Sequence, residues 1–519
     1  MVMRATSLGH AGLLVETDHG SIVCDPWFLP AFFGSWFVFP RNDRLAPELL
    51  QRVEHADHLY ISHMHADHLD EPWLADHIDR HITVLLPGFP SDELEQRLTS
   101  LGFRHFVHTS NGQPVRLGRD GALEVVIHVE TAITDGPGGD SAIVISDGRH
   151  RLVNQNDCRP HDLAALAAHG PVDLQFLQFS GAIWYPMVYD EPIERLREQC
   201  AAKIESQYSR ALRYVEAVGA RVVIPSAGPP AFLDPALFGL NMIEGNELSI
   251  FPDATDFIAR LVRAGHDTGH IVVPGATAVV DDGAVTFEQP SDDPLRPFRD
   301  KRAELIEYAS DWAPWLAAHR LTWHAARPGL LERIRQWWQP LLDAAPTLCA
   351  GVGAGALIQA GDIGIYIDFP AGTVRAHTDE PYSFRFDIAR ELVETVVDRR
   401  EVDWSNALFL SCRFRAWRAG PYNEFLYNFL KSLSPERIAR AEAEAVAKRS
   451  PQRGVEEITL GDYVMERWCP HRRADLSVFG AVDGTTLTCN LHGWQFDLVS
   501  GRCLTADDRH LTVRPAPPR

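Results

Sequence analysis

Residues 60–74 read YISHMHADHLDEPWL. His63, His65, Asp67 and His68 fall within six residues, directly after the apolar run HLYIS. The β-branched and aromatic residues of that run predict a strand, so the four donors sit on a tight loop at its end. Imidazoles and a carboxylate offered from one such loop can hold one or two first-row transition metals.

At 519 residues the chain exceeds one ordinary core, and about three domains are expected. A 45% apolar and 23% charged composition describes a well-folded soluble protein. The net charge of −21 argues against nucleic acid and anionic membranes as partners, because phosphate binding needs clustered Lys and Arg. A small anionic substrate stays compatible, since a local basic pocket can oppose the global field. The opening MVMRATSLGHAGLL lacks the long apolar stretch and cleavage site of a signal peptide. The aromatic run at 26–40, PWFLPAFFGSWFVFP, is shorter than the roughly 20 residues of a spanning helix. It reads as a loop folded over a core or pocket, with an apolar lid over an active site as the alternative. The eight cysteines are sparse, show no disulfide framework and fit a reducing cytoplasm.

Residues 1–290 alternate strand-like runs such as LEVVIHVE and SAIVISDG with amphipathic helical runs. The longest helical run, 192–219, is closed by glycine. EQPSDDPLRPFRD marks a boundary near residue 290. Residues 291–450 form an α+β middle region, helix-rich and tryptophan-rich, with strands in GALIQAGDIGIYIDF. A role there in substrate or oligomer contacts is expected. A helix begins at Ser434-Pro435 and ends in SPQRG, which reads as a linker. Residues 451–519 read as a small all-β module. The expected fold class is therefore multidomain, α/β plus β.

Near the C-terminus, Cys469 and His471 form a C-x-H pair, and after 17 intervening residues Cys489 and His492 form C-x-x-H. Two thiolates and two imidazoles suit a [2Fe–2S] cluster with cysteines on one iron and histidines on the other. A zinc site of the same donors is the alternative. The segment resembles a Rieske domain, including the HGWQFDLVSGRC tail. Cys503 stands outside the ligand pattern and reads as a packed thiol. Such a centre moves single electrons and binds no substrate, so a second centre must consume them.

The histidine loop resembles the H-x-H-x-D-H loop of the metallo-β-lactamase fold, an αβ/βα sandwich. That resemblance gives Asp25 an orienting role, makes His128 the next ligand and makes Asp157 a bridging carboxylate. Hydrolases of this fold offer a last histidine after a late strand, where this chain has Ala227-Gly228. The site of Asp67, His68 and Asp157 is thus expected to lack a donor, leaving His63, His65 and His128 with Asp157. A mononuclear non-haem Fe(II) becomes the expectation, with zinc or a dinuclear metal as the alternative. The D-x₂-H-x₄-H iron site of ordinary Rieske oxygenases fails here: His58 and His63 are spaced correctly, but His55 stands at the aspartate position.

Both modules together resemble the CMP-N-acetylneuraminate hydroxylases, as do the segments at 172–189, 224–234 and 272–281. In the animal enzymes the Rieske segment is N-terminal, and here it is C-terminal. The resemblance implies an O₂-dependent monooxygenase that hydroxylates or N-oxygenates a small organic substrate, a sugar nucleotide or other anion among the options. His63, His65, His128 and Asp157 would be catalytic. Electrons would come from NAD(P)H through a reductase or ferredoxin and then the [2Fe–2S] cluster. A homo-oligomer is compatible with this. The rivals are a zinc hydrolase carrying a Rieske redox sensor and a non-catalytic electron carrier. The Gly- and Pro-rich loops at 179–186, 227–230 and 239–247 are expected at the metal mouth, or else as plain turns.

Overall fold

The computed structural model describes residues 2–118, 121–131, 138–449, 456–471, 473–491, 493–506 and 509–517. The chain divides into two units, Met1–Ile183 with Cys200–Ala317, and Trp184–Gln199 with Ala318–Arg519. The first unit therefore runs past residue 290. Phe37 explains why: its ring lies 5.8 Å from Tyr308 and 5.4 Å from Trp312, so the tryptophan-rich helix Lys301–Arg320 helps close this unit's core. The second unit includes residues 188–190 because they run beside Ala416, whose N–H donates to the Val188 carbonyl at 2.9 Å.

The first unit is built on β1 (Val2–Gly9), β2 (Gly12–Thr17), β3 (Gly20–Cys24), β4 (His58–Tyr60), β5 (Thr83–Leu86), β6 (His105–His108) and β7 (Pro114–Leu117). It continues with β8 (Leu123–Glu130), β9 (Asp140–Ser146), β10 (Arg151–Asn154), β11 (Leu174–Gln178), β12 (Val222–Ser226), β13 (Thr277–Asp281) and β14 (Ala284–Glu288). Eight of these form one sheet in the order β14-β13-β1-β2-β3-β4-β5-β6, and six form another in the order β12-β11-β10-β9-β8-β7.

Side-chain alternation decides which way each strand faces. Leu13, Val15, Ile22, Tyr60 and Leu85 point inward from the first sheet and meet Val125, Ile127, Ile143, Ile145 and Phe176 of the second. Their neighbours Leu14, Val23, Leu59 and Val84 point outward, under α1 (Pro47–Glu54), α2 (Glu71–His77) and α3 (Glu93–Ser100). Each such fully buried side chain contributes about 1.5–3 kcal/mol. The short α4 (Leu163–Ala167) precedes β11 in the chain. On the outer side of the second sheet, Gln175 donates to the Tyr214 carbonyl of α5 (Ile193–Val218), and α6 (Ala254–Arg263) stacks Phe257 on Phe179. Helices thus cover both outer faces, which is the αβ/βα sandwich of a metallo-β-lactamase-like domain.

The second unit contains β15 (Gly355–Ala360), β16 (Ile363–Asp368), β17 (Thr373–Ala376), β18 (Phe384–Ile388) and β19 (Phe414–Arg418), ordered β17-β16-β15-β18-β19. Trp338, fully buried, packs its ring 4.9 Å from Trp404 and 5.6 Å from Phe429. Beyond it come β20 (Glu457–Leu460), β21 (Tyr463–Glu466), β22 (Gly480–Asp483), β23 (Thr486–Cys489), β24 (Trp494–Asp497) and β25 (Val513–Pro515). They form two antiparallel three-stranded sheets, β20-β21-β25 and β22-β23-β24. The expected linker SPQRG lies outside the described residues. Among the described residues, no helix is long and apolar enough to cross a membrane.

Candidate metal centre and cluster ligands

The histidine loop leaves the end of β4 and is locked from both sides. The Tyr60 hydroxyl lies 2.7 Å from Ser141 Oγ, and that hydroxyl donates to the Ser62 carbonyl at 2.7 Å. Downstream, Asp70 caps α2 by accepting from Trp73 N at 3.2 Å. The same carboxylate accepts from Phe28 N and Leu29 N at 2.9 and 2.8 Å, which pins the aromatic run to the loop. Most of that run is buried, including Trp27, Trp36 and Phe37, as expected of a segment folded over a core. Its Phe39 and Pro40 also line a cavity that His10, Phe179, Gly228 and Pro229 share. Two of the expected mouth loops reach this cavity. In the third, Asn241 clasps the Phe232 backbone at 2.9 Å, a turn-forming role.

The structure gathers the metal donors into two adjacent groups, His63–His65–Asp157 and His10–Asp67–His68. His63 Nε2 lies 2.7 Å from His65 Nδ1, and His63 Nδ1 lies 3.7 Å from Asp157 Oδ1. In the second group His10 Nε2 lies 3.2 Å from Asp67 Oδ2. The groups adjoin where His68 Nε2 lies 3.6 Å from Asp157 Oδ1. Asp25 sits behind them, accepting from Ser62 N at 2.7 Å and facing His68 Nδ1 at 2.9 Å. His68 Nε2, Asp67 Oδ1 and Asp157 Oδ1 are buried and have no hydrogen-bond partner among the described residues. Orphaned buried polar atoms are costly, and a divalent cation between them would satisfy all three.

Charge agrees with geometry. Burial pushes the Asp157 carboxyl up, but His63 and His68 outweigh it and hold the group at about 2. Burial also opposes a charge on His68, yet Asp157, Asp67 and Asp25 raise it to about 10. Asp67 is held below the ordinary carboxylate range, burial being overcome by His68 and His10. Burial and the charge of His68 push His63 well below an ordinary histidine. Without metal, the site thus stores a proton on His68 between carboxylates, in the place a cation would take.

His128 belongs to neither group. Its Nε2 lies 2.6 Å from Nε2 of His169, a histidine that burial, His128 and Arg151 push down to about 4. Two residues escaped the sequence reading. His10 turns in from the β1–β2 connection, at φ 52 and next to Gly9 at φ 96, and stands beside Asp67 in the group expected to lack a donor. Asp140 opens β9 with an oxygen 3.3 Å from His63 Nδ1. The signals were a lone histidine between glycines in LGHAG, and an aspartate after GPGG at a strand start.

In the C-terminal module, Cys469 and Cys489 are fully buried and His471 is nearly so. Cys489 ends β23 opposite Trp494, whose indole stacks on His471 with ring centroids 3.8 Å apart. That one side chain joins the two ligand loops. His492 lies outside the described residues.

Residues 456–513 match the Rieske [2Fe-2S] domain, and residues 330–447 match an Rv3818-like, SCP2-like domain. The Rieske 2Fe-2S iron-sulfur protein Rv3818 of Mycobacterium tuberculosis (strain ATCC 25618 / H37Rv) is 45% identical over 98% of this chain and 99% of its own length. The chain belongs to the Rv3818-like family of Rieske proteins. The SCP2-like match falls in what the sequence showed only as an α+β middle region. The cytidine monophosphate-N-acetylneuraminic acid hydroxylase of Mus musculus is 28% identical over 44% of this chain and 39% of that enzyme. Among solved structures, Igni18, a metallo hydrolase from Ignicoccus hospitalis, aligns at 16% identity and a TM-score of 0.38. It covers 54% of this chain and 99% of that one.

Proposed function

We propose that the protein is a Rieske-type non-haem iron monooxygenase, inserting one oxygen atom from O₂ into a small organic substrate by hydroxylation or N-oxygenation. The observation that carries this is a Rieske ligand set and a buried, thiolate-free His/carboxylate site in one chain. A one-electron relay has a purpose only where a second centre uses its electrons. Similarity to the hydroxylase family supports the same reaction class.

His10 changes the donor count. With it, the arrangement supports two ions rather than one, at His10–Asp67–His68 and at His63–His65–Asp157. Iron bound there supplies the activation of O₂. The chain's own residues do the rest. Asp25 fixes the His68 ring so that Nε2 faces inward. Asp140 holds a negative charge beside His63 Nδ1. The cavity walls Phe39, Phe179 and Pro229 exclude water beside His10 and receive the apolar part of the substrate. A reductase or ferredoxin, drawing on NAD(P)H in the cytoplasm, delivers electrons to the cluster.

Restoring the second group also revives a zinc hydrolase with a Rieske redox sensor, since two adjacent metals can clamp a hydrolytic transition state. Isotope labelling separates the two. Protein supplied with reductase, NAD(P)H, ¹⁸O₂ and a small-molecule extract should yield a product carrying ¹⁸O from the gas. Oxygen derived from labelled water, with no need for reductant, would establish the hydrolase instead.

A further inference from the structure

Next to Asp157 the first unit holds a set of cations that, among the described residues, form no ion pair with a carboxylate. Lys203, Gln207 and Arg210 recur along α5 at spacings of four and three, which places them on one helix face. Four residues on, the Tyr214 hydroxyl donates to the Pro160 carbonyl at 3.1 Å and ties that face to the loop after β10. The same loop carries Asp157 and Arg159. Arg210 is 4% exposed and Gln207 1% exposed, yet among the described residues Arg210 Nη2 and both polar atoms of the Gln207 amide have no hydrogen-bond partner. Ser180 Oγ, just past β11, is buried in the same condition. Lys203 and Arg159 are half-buried, which leaves a ligand a way in.

Buried charges are ordinarily paired and buried polar groups hydrogen-bonded. Among the described residues, no ion pair joins Arg159, Lys203 or Arg210 to a carboxylate. The carboxylate whose charge Arg210 feels is Asp157, already committed to the metal group. Burial, then the charges of Arg159 and Arg210, push Lys203 down to about 7, and burial with Arg159 pushes Arg210 down to about 9. The face therefore lacks a negative partner of the size and geometry that guanidinium groups grip in pairs of hydrogen bonds.

We infer that Arg159, Lys203, Gln207 and Arg210 bind an oxyanion of the substrate, a carboxylate or a phosphate, and hold it beside the metal centre. The assignment rests on the oxygenase reading of that centre and adds the class of molecule it accepts. It also reconciles an anionic substrate with a chain of net charge −21.

Calorimetric titration of the full chain with inorganic phosphate and, separately, with acetate tests the site without turnover. Wild type should bind one of the two, and Arg210→Gln and Lys203→Gln should each weaken that binding by at least about tenfold, as loss of a charge-assisted hydrogen bond does. Tighter phosphate assigns a phosphate-bearing substrate, and tighter acetate a carboxylate. A thermal scan supplies the second readout: ligand-free Lys203→Met should melt no lower than wild type, because it removes a repelling cation. A lower melting point would mark Lys203 as structural and overturn the inference. So would wild type binding neither anion at millimolar concentrations, or binding unchanged in a variant. Should Arg210→Gln fail to fold, Lys203→Gln carries the comparison. A negative titration removes the anion site alone, whereas zinc in place of iron removes the oxygenase reading and leaves the titration standing.

Discussion

His68 Nδ1 lies 2.9 Å from Asp25 Oδ2, at the closed end of the histidine loop. Asp25 holds this place at φ 40, and its other oxygen accepts from Ser62 N, so both the carboxylate and the loop are fixed before any metal arrives. A histidine whose outer nitrogen is held this way presents the inner one in a single tautomer and orientation. Asp25→Asn should lower metal affinity at the histidine site about 10- to 100-fold while leaving the cluster's visible spectrum unchanged. Competitive chelator titration reads the first and absorption the second. Unchanged affinity would remove Asp25 from the metal's support.

Metal-free protein should lose stability toward alkaline pH. His68 titrates at about 10 in the fold, against about 6.5 unfolded. Its contribution is therefore complete below about pH 6.5 and fades as the pH climbs toward 10. Asp157, held at about 2 against about 3.9 unfolded, acts in the opposite window: its contribution is present above about pH 3.9 and fades as the pH falls through 2. Urea unfolding of chelator-treated protein should show a decline on the order of a few kcal/mol between about pH 7 and 10. Metal displaces the His68 proton, so loaded protein should lack this decline and bind its metal more tightly as pH rises. A flat profile for the metal-free form would contradict the site's charge arrangement.

His10 and His128 separate the structural donor set from the one expected on sequence. His10→Ala should cost the second group its metal, lowering the metal content of the histidine site by one ion per chain. His128→Ala, paired with His169 instead, should leave that content intact. Elemental analysis of both variants suffices. Metal loss from His128→Ala with retention in His10→Ala would restore the sequence expectation.

Trp494 joins the two ligand loops of the Rieske module, stacked on His471 and opposite Cys489. Trp494→Ala should destabilise that module by about 3–5 kcal/mol, the ordinary cost of emptying a buried aromatic site. Cluster absorption should bleach faster on mild heating, and Trp494→Phe should recover much of the lifetime. Equal bleaching rates would leave the stacking without a holding role.

What could be read from the sequence depended on how far apart the cooperating residues stand. The histidine loop and the C-x-H and C-x-x-H pairs place their donors within a few residues, so spacing alone exposes them. The β-branched runs LEVVIHVE and SAIVISDG likewise gave strands, though not the face each turns inward. His10 was not legible as a donor, because it reaches Asp67 only after β1 and β2 fold back and β4 joins the same sheet. The place beside Asp67 that Ala227-Gly228 leaves without a histidine is taken by His10, from the other end of the domain. His492, expected as a cluster ligand from its spacing, lies outside the described residues. In the middle region the strands were visible, but not the parallel pairing of Ala356 with Phe384, which depends on a crossover rather than a local pattern. The first unit's extension to Ala317 was hidden for a similar reason: Pro and Asp near 290 signal a turn, whereas Phe37 decides which core the next helix joins.

Iron analysis with Mössbauer spectroscopy of protein loaded anaerobically with ⁵⁷Fe tests the central claim most directly. The account predicts the two irons of the Rieske cluster and two further non-haem irons, one for each His/carboxylate group, which His63→Ala with His68→Ala removes while the cluster signal stays. A spectrum holding the cluster alone, with zinc bound at the histidine loop, would contradict it.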